Sequence, residues 1–284
     1  MKGLWRFGLI ALVITTSAWA HTVAASGLDE AQADQLFQQV GQADSNLVNL
    51  RELAAQGDPL AQDRLGQTYL IGKGTDKDYD QARSWLLKSA QQGYPYAQFR
   101  LGFIFEEAMG VPKDIKQAVH WYQQAAEQGN RAAAYNLGLL YQQGKEIDAD
   151  DLQAAKWYLI AAEQGLAVAQ LNLGLIYAES KTVEHDFSKA HHWLLKAAKV
   201  GNAKAQYNLG LLYAEGSGVE KDNVVALDWY RKAAASGEWW AMYAISVAYR
   251  QGELGLPLDS QKADEWYKKF IDSQVVAKGL KGPN

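Results

Sequence analysis

Six aspartates recur along the sequence at nearly regular intervals, and regularly placed carboxylates are candidates for acid–base chemistry. They are Asp78, Asp114, Asp150, Asp186, Asp222 and Asp259. Each stands four residues before an alanine, at the point where a stretch of helix-forming residues begins. An aspartate there accepts hydrogen bonds from free backbone N–H groups and favours the positive end of the helix dipole. We therefore interpret the six carboxylates as helix caps rather than as catalytic acids.

The other polar clusters do not have the spacing of a catalytic or metal site. His185, His191 and His192 fall in a turn and at a helix start, without the spacing of metal ligands. The stretch 148–151 lacks the glycine and the terminal glutamate of a calcium loop, and 72–75 lacks the upstream glycine of a phosphate loop. The sequence has no Cys, which excludes thiol catalysis and disulfide bonds. We predict a protein that is not an enzyme and that has no metal site and no cofactor.

A repeat of 36 residues runs through most of the chain. The letters YNLGLLY occur at 135–141 and again at 207–213, with LNLGLIY at 171–177 between them. Such a period is typical of a solenoid built from repeated helix pairs. In the third row, the apolar spacing predicts helices over 131–143 and 151–164. The glycine that follows each second helix suits the left-handed position after a helix end.

A glycine also recurs inside the first helix of each row, where it costs about 1 kcal/mol relative to alanine. The positions are Gly66, Gly102, Gly138, Gly174 and Gly210. Its recurrence implies that a large side chain packs against bare backbone at this point. We expect that side chain to be the tryptophan that occurs once per row. These residues are Trp85, Trp121, Trp157, Trp193, Trp229 and, one residue late, Trp266.

The row pattern A-x-x-x-LG-x-x-Y, turn, D-x-x-x-A-x-x-W-Y/L-x-x-A-A-x-x-G resembles the Sel1-like repeat, a relative of the tetratricopeptide repeat (TPR). The resemblance implies an all-α fold, a right-handed α/α superhelical solenoid of about six Sel1-like (TPR-like) helix-pair repeats. It covers the rows 58–93, 94–129, 130–165, 166–201, 202–237 and 238–274. In this family the first helices line a concave face that usually holds a protein or peptide. A cysteine-rich branch is described as β-lactamase-like, but this chain has no Cys and no Ser-x-x-Lys, so that activity is not carried over.

Both ends of the repeat array are expected to be capped. Within the N-terminal segment 21–57, residues 29–56 predict two amphipathic helices that resemble a degenerate repeat. The apolar residues of these two helices are Leu36, Phe37, Val40, Leu47, Leu50 and Leu53. The sixth row replaces Leu-Gly by Ile245-Ser246 and Ala-Ala by Phe270-Ile271, which predicts a C-terminal cap. Residues 275–284 are predicted to form a tail.

One side of the first helices is unusual for a surface. An ordinary surface helix is charged on the side opposite its repeated apolar positions, whereas here that side is aromatic, aliphatic and amide-bearing. Such a mixture suits a peptide groove, because it combines apolar area with hydrogen-bonding groups. We predict that twelve residues bind a partner, and we call them the candidate stripe. They are Arg64, Phe99, Arg100, Phe103, Tyr135, Asn136, Leu171, Asn172, Tyr207, Asn208, Trp240 and Tyr243.

The candidate stripe leaves three alternatives open. The first is that Tyr135 and its equivalents only pack against the neighbouring first helix. A narrower hypothesis is that Arg64, Arg100 and Asn136 capture a carboxylate of the partner. The third concerns Trp240, which follows Trp239: it could anchor an interface or could close the last repeat against the C-terminal helix.

Residues 1–20 have the layout of a secretory signal peptide. Lys2 and Arg6 precede an apolar stretch, and Ala18-Trp19-Ala20 forms an A-x-A cleavage site. The apolar stretch is shorter than the ~20 residues of a spanning helix. We expect a periplasmic protein with no integral membrane segment after cleavage. Loss of the two bases would change the net charge from −4 to −6, which disfavours nucleic acid and anionic lipid as partners.

These observations favour a non-catalytic adaptor or scaffold in the bacterial envelope, with a protein or peptide on its concave face. Two other functions stay open. One is an enzyme or binder that acts on the cell wall or on a β-lactam. The other is a structural component of an envelope machine for secretion, motility or polysaccharide, with flat contacts on the convex side.

Overall fold

The structure is a computed structural model that describes residues 43–277, with the side chains of residues 47–274. All regular elements in that range are α-helices. They are α1 (Ala43–Ala55), α2 (Pro59–Ile71), α3 (Tyr79–Gln91), α4 (Pro95–Glu106), α5 (Ile115–Glu127), α6 (Arg131–Gln143), α7 (Asp151–Glu163), α8 (Ala167–Glu179), α9 (Phe187–Lys199), α10 (Ala203–Glu215), α11 (Asn223–Ala235), α12 (Trp239–Gln251) and α13 (Ser260–Ala277). The helices belong to two compact units, one within Ile14–Gln164 and one within Gly165–Asn284.

The helices follow the predicted rows. The first helices of the six rows are α2, α4, α6, α8, α10 and α12, and each is followed by its second helix. In the third row, the prediction of 131–143 is confirmed by α6, and α7 ends one residue earlier than predicted, at Glu163. Helix α1 agrees with the second predicted N-terminal helix. The first one, with Leu36, Phe37 and Val40, lies outside the described residues, as does the signal peptide. Helix α13 extends three residues beyond the predicted row end at 274.

The helix ends confirm the assignment of the six aspartates as caps. Each Oδ1 accepts a hydrogen bond from a backbone N–H in the first turn of the following second helix, at 2.9–3.0 Å. The row-ending glycines have φ between 83° and 98°, the left-handed region in which a side chain would be strained. Local chemistry therefore sets both ends of the second helices.

The glycine inside the first helix lies against the second helix of its own repeat. A Cβ added to Gly138 would lie 2.5 Å from two ring carbons of Tyr158. The prediction of a large side chain at this place is confirmed, but the prediction that it is tryptophan is wrong. In all five rows the contact is made by the residue that follows the tryptophan. These residues are Leu86, Tyr122, Tyr158, Leu194 and Tyr230.

Two of the row tryptophans pack against apolar clusters that contain residues of successive repeats. In the unit within Ile14–Gln164, Trp121 packs against a cluster that contains Leu86 and Leu101. In the unit within Gly165–Asn284, Trp229 packs against a cluster that contains Leu194 and Leu209. Adjacent positions on a helix differ by about 100° in direction, because a turn takes 3.6 residues. The tryptophan and the next residue therefore face different neighbours.

The last repeat is closed differently from the others. Ser246 replaces the internal glycine, and its Oγ donates a hydrogen bond to the carbonyl of Ala263 at 2.7 Å. Tyr267, the residue after Trp266, is 42% exposed, whereas Tyr230 of the preceding row is fully buried. A side-chain hydrogen bond thus takes the place of the ring-on-glycine contact at this end of the array.

Candidate functional site

Half of the candidate stripe belongs to the unit within Ile14–Gln164. Its members on α2, α4 and α6 are partly exposed, except for Phe99, which is buried. The six residues are Arg64, Phe99, Arg100, Phe103, Tyr135 and Asn136. Partial exposure leaves most of this set accessible to a partner.

Three aromatic members of the stripe pack against the rings that cover the glycines. The pairs are Phe99–Tyr122, Tyr135–Tyr158 and Tyr207–Tyr230, with ring centroids 5.8, 5.8 and 5.7 Å apart. The alternative prediction placed these side chains against the neighbouring first helix. In the structure these ring contacts are made with the second helix of the same repeat, and Tyr207 also shares an apolar cluster with Ala241 and Ala244 of the neighbouring first helix, α12. Each ring therefore contributes to the core of its own helix pair.

Arg100 is held by an acid of its own chain. Its Nη1 lies 2.7 Å from Oδ1 and 2.9 Å from Oδ2 of Asp63, one repeat earlier. Asp63 is 3% exposed, and burial raises the pKa of its carboxyl, while Arg100 acts in the opposite direction. Capture of a partner's carboxylate by Arg100, as the narrower hypothesis proposes, would have to compete with this ion pair.

The other half of the stripe lies in the unit within Gly165–Asn284. Leu171, Asn172, Tyr207 and Asn208, on α8 and α10, are buried. Tyr243, on α12, is 40% exposed. The four buried members therefore offer a partner little side-chain surface, and Tyr243 is the accessible residue among these five.

The two asparagines of the stripe in this unit each have a buried side-chain atom without a hydrogen-bond partner in the described chain. Asn208 donates from Nδ2 to the carbonyl of Lys204 at 2.8 Å, but its Oδ1 is buried and has no hydrogen-bond partner in the described chain. Asn172 is 2% exposed, and its Nδ2 is likewise buried and unpaired within 43–277. A buried donor or acceptor left unpaired costs about 1–3 kcal/mol. One donor and one acceptor are thus present at equivalent positions of α8 and α10.

Glu179, which the sequence analysis missed, ends α8 on the side of Asn172. Its side chain is partly buried, and its Oε1 has no hydrogen-bond partner among the described residues. Burial raises the pKa of this carboxyl to about 7. Glu215 stands at the equivalent end of α10 and accepts a hydrogen bond from Ser217 at 3.2 Å. An acid at the C-terminal end of a helix opposes the helix dipole, and this was the signal available in the sequence.

Trp239 and Trp240 close the last repeat. Their rings stack on each other at 4.6 Å, and both lie within 6.0 Å of the ring of Phe270 on α13. Tyr243 touches the same cluster, with its ring centroid 5.2 Å from that of Phe270. Of the two alternatives for this pair, the structure supports packing against the C-terminal helix. The exposed part of Tyr243 is the accessible edge of the cluster.

His185 and His191 each make a contact with a different group of the chain. His185 Nε2 lies 2.8 Å from the carbonyl oxygen of Ser180, and His191 Nε2 lies 3.1 Å from the hydroxyl of Tyr213. Burial lowers the pKa of His191. Across residues 43–277 the side chains form no group of three or more metal ligands. These contacts indicate structural roles: His185 stabilises the loop after α8, and His191 contributes to the packing of α9 against α10.

A comparison with protein families shows to which family the chain belongs. The Sel1 repeat family matches six segments, at residues 59–94, 95–130, 131–166, 167–202, 203–238 and 241–274. The chain belongs to the Sel1 repeat family. Each of the first five predicted rows begins and ends one residue before the corresponding family segment. The all-α solenoid expected from the resemblance is confirmed for this Sel1 repeat protein.

Two solved structures are similar to this Sel1 repeat protein. A protective antigen present in uropathogenic Escherichia coli strains, which displays an SLR fold, is 34% identical with a TM-score of 0.72. That match covers 83% of this chain and 52% of the antigen, so this chain spans about half of the antigen's length. A Sel1 repeat protein from Oxalobacter formigenes is 32% identical with a TM-score of 0.66, covering 86% of this chain and 97% of that one. A search of curated proteins finds no match.

Sel1 repeats are commonly scaffolds for protein interactions, and Sel1 repeat proteins are generally non-catalytic. Among residues 43–277, every helix is too short or too polar to cross a membrane.

Proposed function

We propose that this Sel1 repeat protein is a non-catalytic adaptor or scaffold that holds a protein or peptide on the first-helix face, the concave face of the family. The observation that carries the proposal is the exposed aromatic side chain on the last first helix, α12, where Tyr243 is 40% exposed. An exposed tyrosine combines large apolar contact area with a polar hydroxyl, which suits contact with a protein partner.

Crosslinking in living cells tests the choice of face. A photoreactive amino acid replaces Tyr243 on α12 in one strain and Val224 on α11, which is 75% exposed, in another. The proposal expects a partner protein to be captured at position 243 and not at 224. Capture at 224 alone would show that the partner contacts a second helix. That result would favour the alternative function, a structural component of an envelope machine.

We further propose that the protein acts in the periplasm. The support is the signal-peptide layout of residues 1–20, which lie outside the described residues. Periplasmic extraction followed by mass spectrometry should yield a chain that begins at His21. A chain that keeps Met1 and stays with the cytosolic fraction would contradict the proposal.

The non-catalytic part of the proposal has its own test. Purified protein should produce no sustained turnover of peptidoglycan or of a β-lactam. Turnover that disappears in His191→Ala would instead establish an enzyme, since His191 is partly buried and burial lowers its pKa.

A further inference from the structure

The fifth and sixth repeats carry the same pair of tyrosines with different exposure. In the fifth repeat, Tyr207 on α10 is 7% exposed and Tyr230 on α11 is fully buried. Their equivalents in the sixth repeat, Tyr243 on α12 and Tyr267 on α13, are 40% and 42% exposed. The rings of each pair lie close together, with centroids 5.7 Å apart in the fifth repeat and 6.5 Å apart in the sixth. The two pairs therefore differ mainly in what covers them.

The pair in the fifth repeat is covered by the first helix of the next repeat. Tyr207 and Tyr230 share an apolar cluster with small residues of α12, which are Ala241, Ala244 and Ala248. The same arrangement occurs one repeat earlier, where Leu209 and Leu212 of α10 share a cluster with Leu194 of α9. A first helix thus covers the second helix before it with small and aliphatic side chains at helical spacing.

The pair in the sixth repeat is not covered in this way. Among residues 43–277, α13 is the last helix, and Ile271, one turn after Tyr267, is 40% exposed. The buried ring of Phe270 joins the pair, with its centroid 5.2 Å from that of Tyr243 and 5.6 Å from that of Tyr267. We call Tyr243, Tyr267 and Ile271 the open face. A repeat at the end of an array normally has a polar outer face, whereas the open face is aromatic and aliphatic. Exposed apolar residues grouped in this way are typical of an interaction surface.

The exposed charges beside the open face have both signs. Asp264 and Lys268 lie within one turn of Tyr267 on α13, and both are exposed. Asp264 pairs with Arg250 of α12 at 2.6 Å. A strongly charged ligand such as a polyanion would therefore meet attraction and repulsion together. These surroundings favour a partner that is apolar where it contacts the open face and carries mixed charges around that contact.

We infer that the open face binds an amphipathic helix of a partner protein, in the place that a following first helix would take. The helix presents alanine and leucine at helical spacing, because α12 and α10 cover the preceding repeats with such residues. Tyr243 and Tyr267 supply the large, rigid contact area that is typical of interface anchors. The inference rests on the proposed function, in which Tyr243 contacts the partner, and it names the kind of partner.

Two fluorescein-labelled peptides test the inference by fluorescence anisotropy with the full chain. The first has the sequence of residues 202–216, which comprise α10 and its two cap residues. In the protein this helix packs on α9 through Ala205, Leu209 and Leu212. The second peptide carries Leu209→Lys and Leu212→Lys, which place charges on that side of the helix. The first peptide should bind at least about tenfold more tightly than the second. Its helical circular dichroism signal should rise on binding, because a free helix of this length is marginal in water.

Variants of the protein locate the binding site. Tyr267→Ala with Ile271→Ala should weaken binding of the first peptide by at least about tenfold, because anchor residues carry most of the binding energy of an interface. Ile271→Lys should give a similar loss without truncating a ring. Tyr96→Ala is the matched control and should leave binding unchanged, since Tyr96 on α4 is 46% exposed and lies outside the open face. Urea unfolding checks that each variant is folded. Unchanged binding in the double variant and in Ile271→Lys, or an equal loss in Tyr96→Ala, would overturn the inference.

The failures of the inference and of the proposed function are distinguishable. A photoreactive amino acid at position 267 complements the one at position 243. Capture of a partner at 243 without binding of the first peptide overturns the inference and leaves the proposed function standing. Peptide binding that depends on Tyr267, without capture at either position, overturns the proposed function and leaves helix binding by the open face established. Absence of both peptide binding and capture overturns both.

Two other occupants of the open face are outcomes of the same experiment. A dimer in sedimentation equilibrium that Tyr267→Ala with Ile271→Ala dissociates would assign the open face to a second copy. Peptide binding that appears only in a chain ending at Ala277 would assign it to the chain's own residues 278–284. Either result overturns a helix of a separate protein as the occupant.

Discussion

The ring of Tyr158 lies directly against the backbone of Gly138. A Cβ at Gly138 would come within 2.5 Å of ring atoms Cδ1 and Cε1. The ring has little room to withdraw, because Tyr158 is fully buried and its hydroxyl donates to Gln142 at 2.8 Å. Helices α6 and α7 therefore approach this closely only because the residue at 138 has no side chain.

Gly138→Ala should destabilise the protein by up to about 2 kcal/mol. Overpacking of a core typically costs about 1–3 kcal/mol, of which the better helix propensity of alanine recovers about 1 kcal/mol. Gly174→Ala is the matched variant, because its Cβ would meet the flexible side chain of Leu194 at 2.8 Å instead of a ring. Urea unfolding should show a smaller loss for Gly174→Ala. Wild-type stability of Gly138→Ala would contradict the tight contact.

Asp222→Ala should cost about 1 kcal/mol of unfolding free energy, as loss of a helix cap does. The Asp222 carboxylate accepts from the backbone N–H groups of Val224 and Val225 at 2.9 and 3.0 Å. Asp228→Ala removes the same group further along α11, where it only pairs with Lys232 on the surface at 2.7 Å. That pair contributes at most about 0.5 kcal/mol. Equal losses in urea unfolding would show that the cap has no special role.

Arg100→Met should destabilise the protein by about 3 kcal/mol, because it leaves the buried carboxylate of Asp63 without its partner. The double variant Asp63→Leu with Arg100→Met should recover most of that loss, since no buried charge is left. Chemical denaturation of the wild type, both single variants and the double variant measures the coupling. Additive losses would mean that the ion pair does not operate as a unit.

Glu179→Gln should stabilise the protein at pH 8 and have little effect near pH 4. The pKa of Glu179 is about 7 in the folded chain, above its ordinary value of 4.5, so folding favours the protonated form. That contribution is complete below the ordinary value and is lost as the pH rises through 7. The glutamine variant keeps a neutral side chain at every pH. At pH 8 its Tm should rise by a few degrees, since 1 kcal/mol moves the Tm of a domain of this size by about 2–4 °C.

The charges near Glu179 do not alter the sign of this prediction. Lys181 and His185, on the loop after α8, form no ion pair with it in the described part of the chain, and burial is the cause of the raised pKa. The exposed variant Glu220→Gln serves as the control and should show no pH-dependent difference in Tm. A gain from Glu179→Gln that is the same at pH 4 and pH 8 would contradict the raised pKa.

The repeat, the helix ends and the glycine positions could be predicted because they depend on residues close together in the chain. The side chain of Asp150 caps its helix by accepting a hydrogen bond from the backbone N–H of Gln153, three residues later. The left-handed conformation that ends a helix depends on the glycine at that one position. Apolar residues that recur every three or four positions indicate a helix without reference to its neighbours. The twelve residues of the candidate stripe could be placed on one side of their helices by the same argument.

The burial of the stripe could not be predicted in this way. Asn136 and Asn172 have the same position in their rows, but Asn136 is partly exposed and Asn172 is buried. Exposure depends on the side chains that neighbouring helices bring close. For the same reason the raised pKa of Glu179 does not follow from its place in the sequence.

The sequence by itself determined the family, the number of repeats and the ends of the helices, because these follow from periodicity and from contacts within one turn. Only the tertiary structure decided that Tyr158 rather than Trp157 covers Gly138, because one step along a helix turns a side chain by about 100°. It also decided that Trp239 stacks on Phe270. That contact depends on the angle at which α12 and α13 pack, and the angle is set by all the side chains between them.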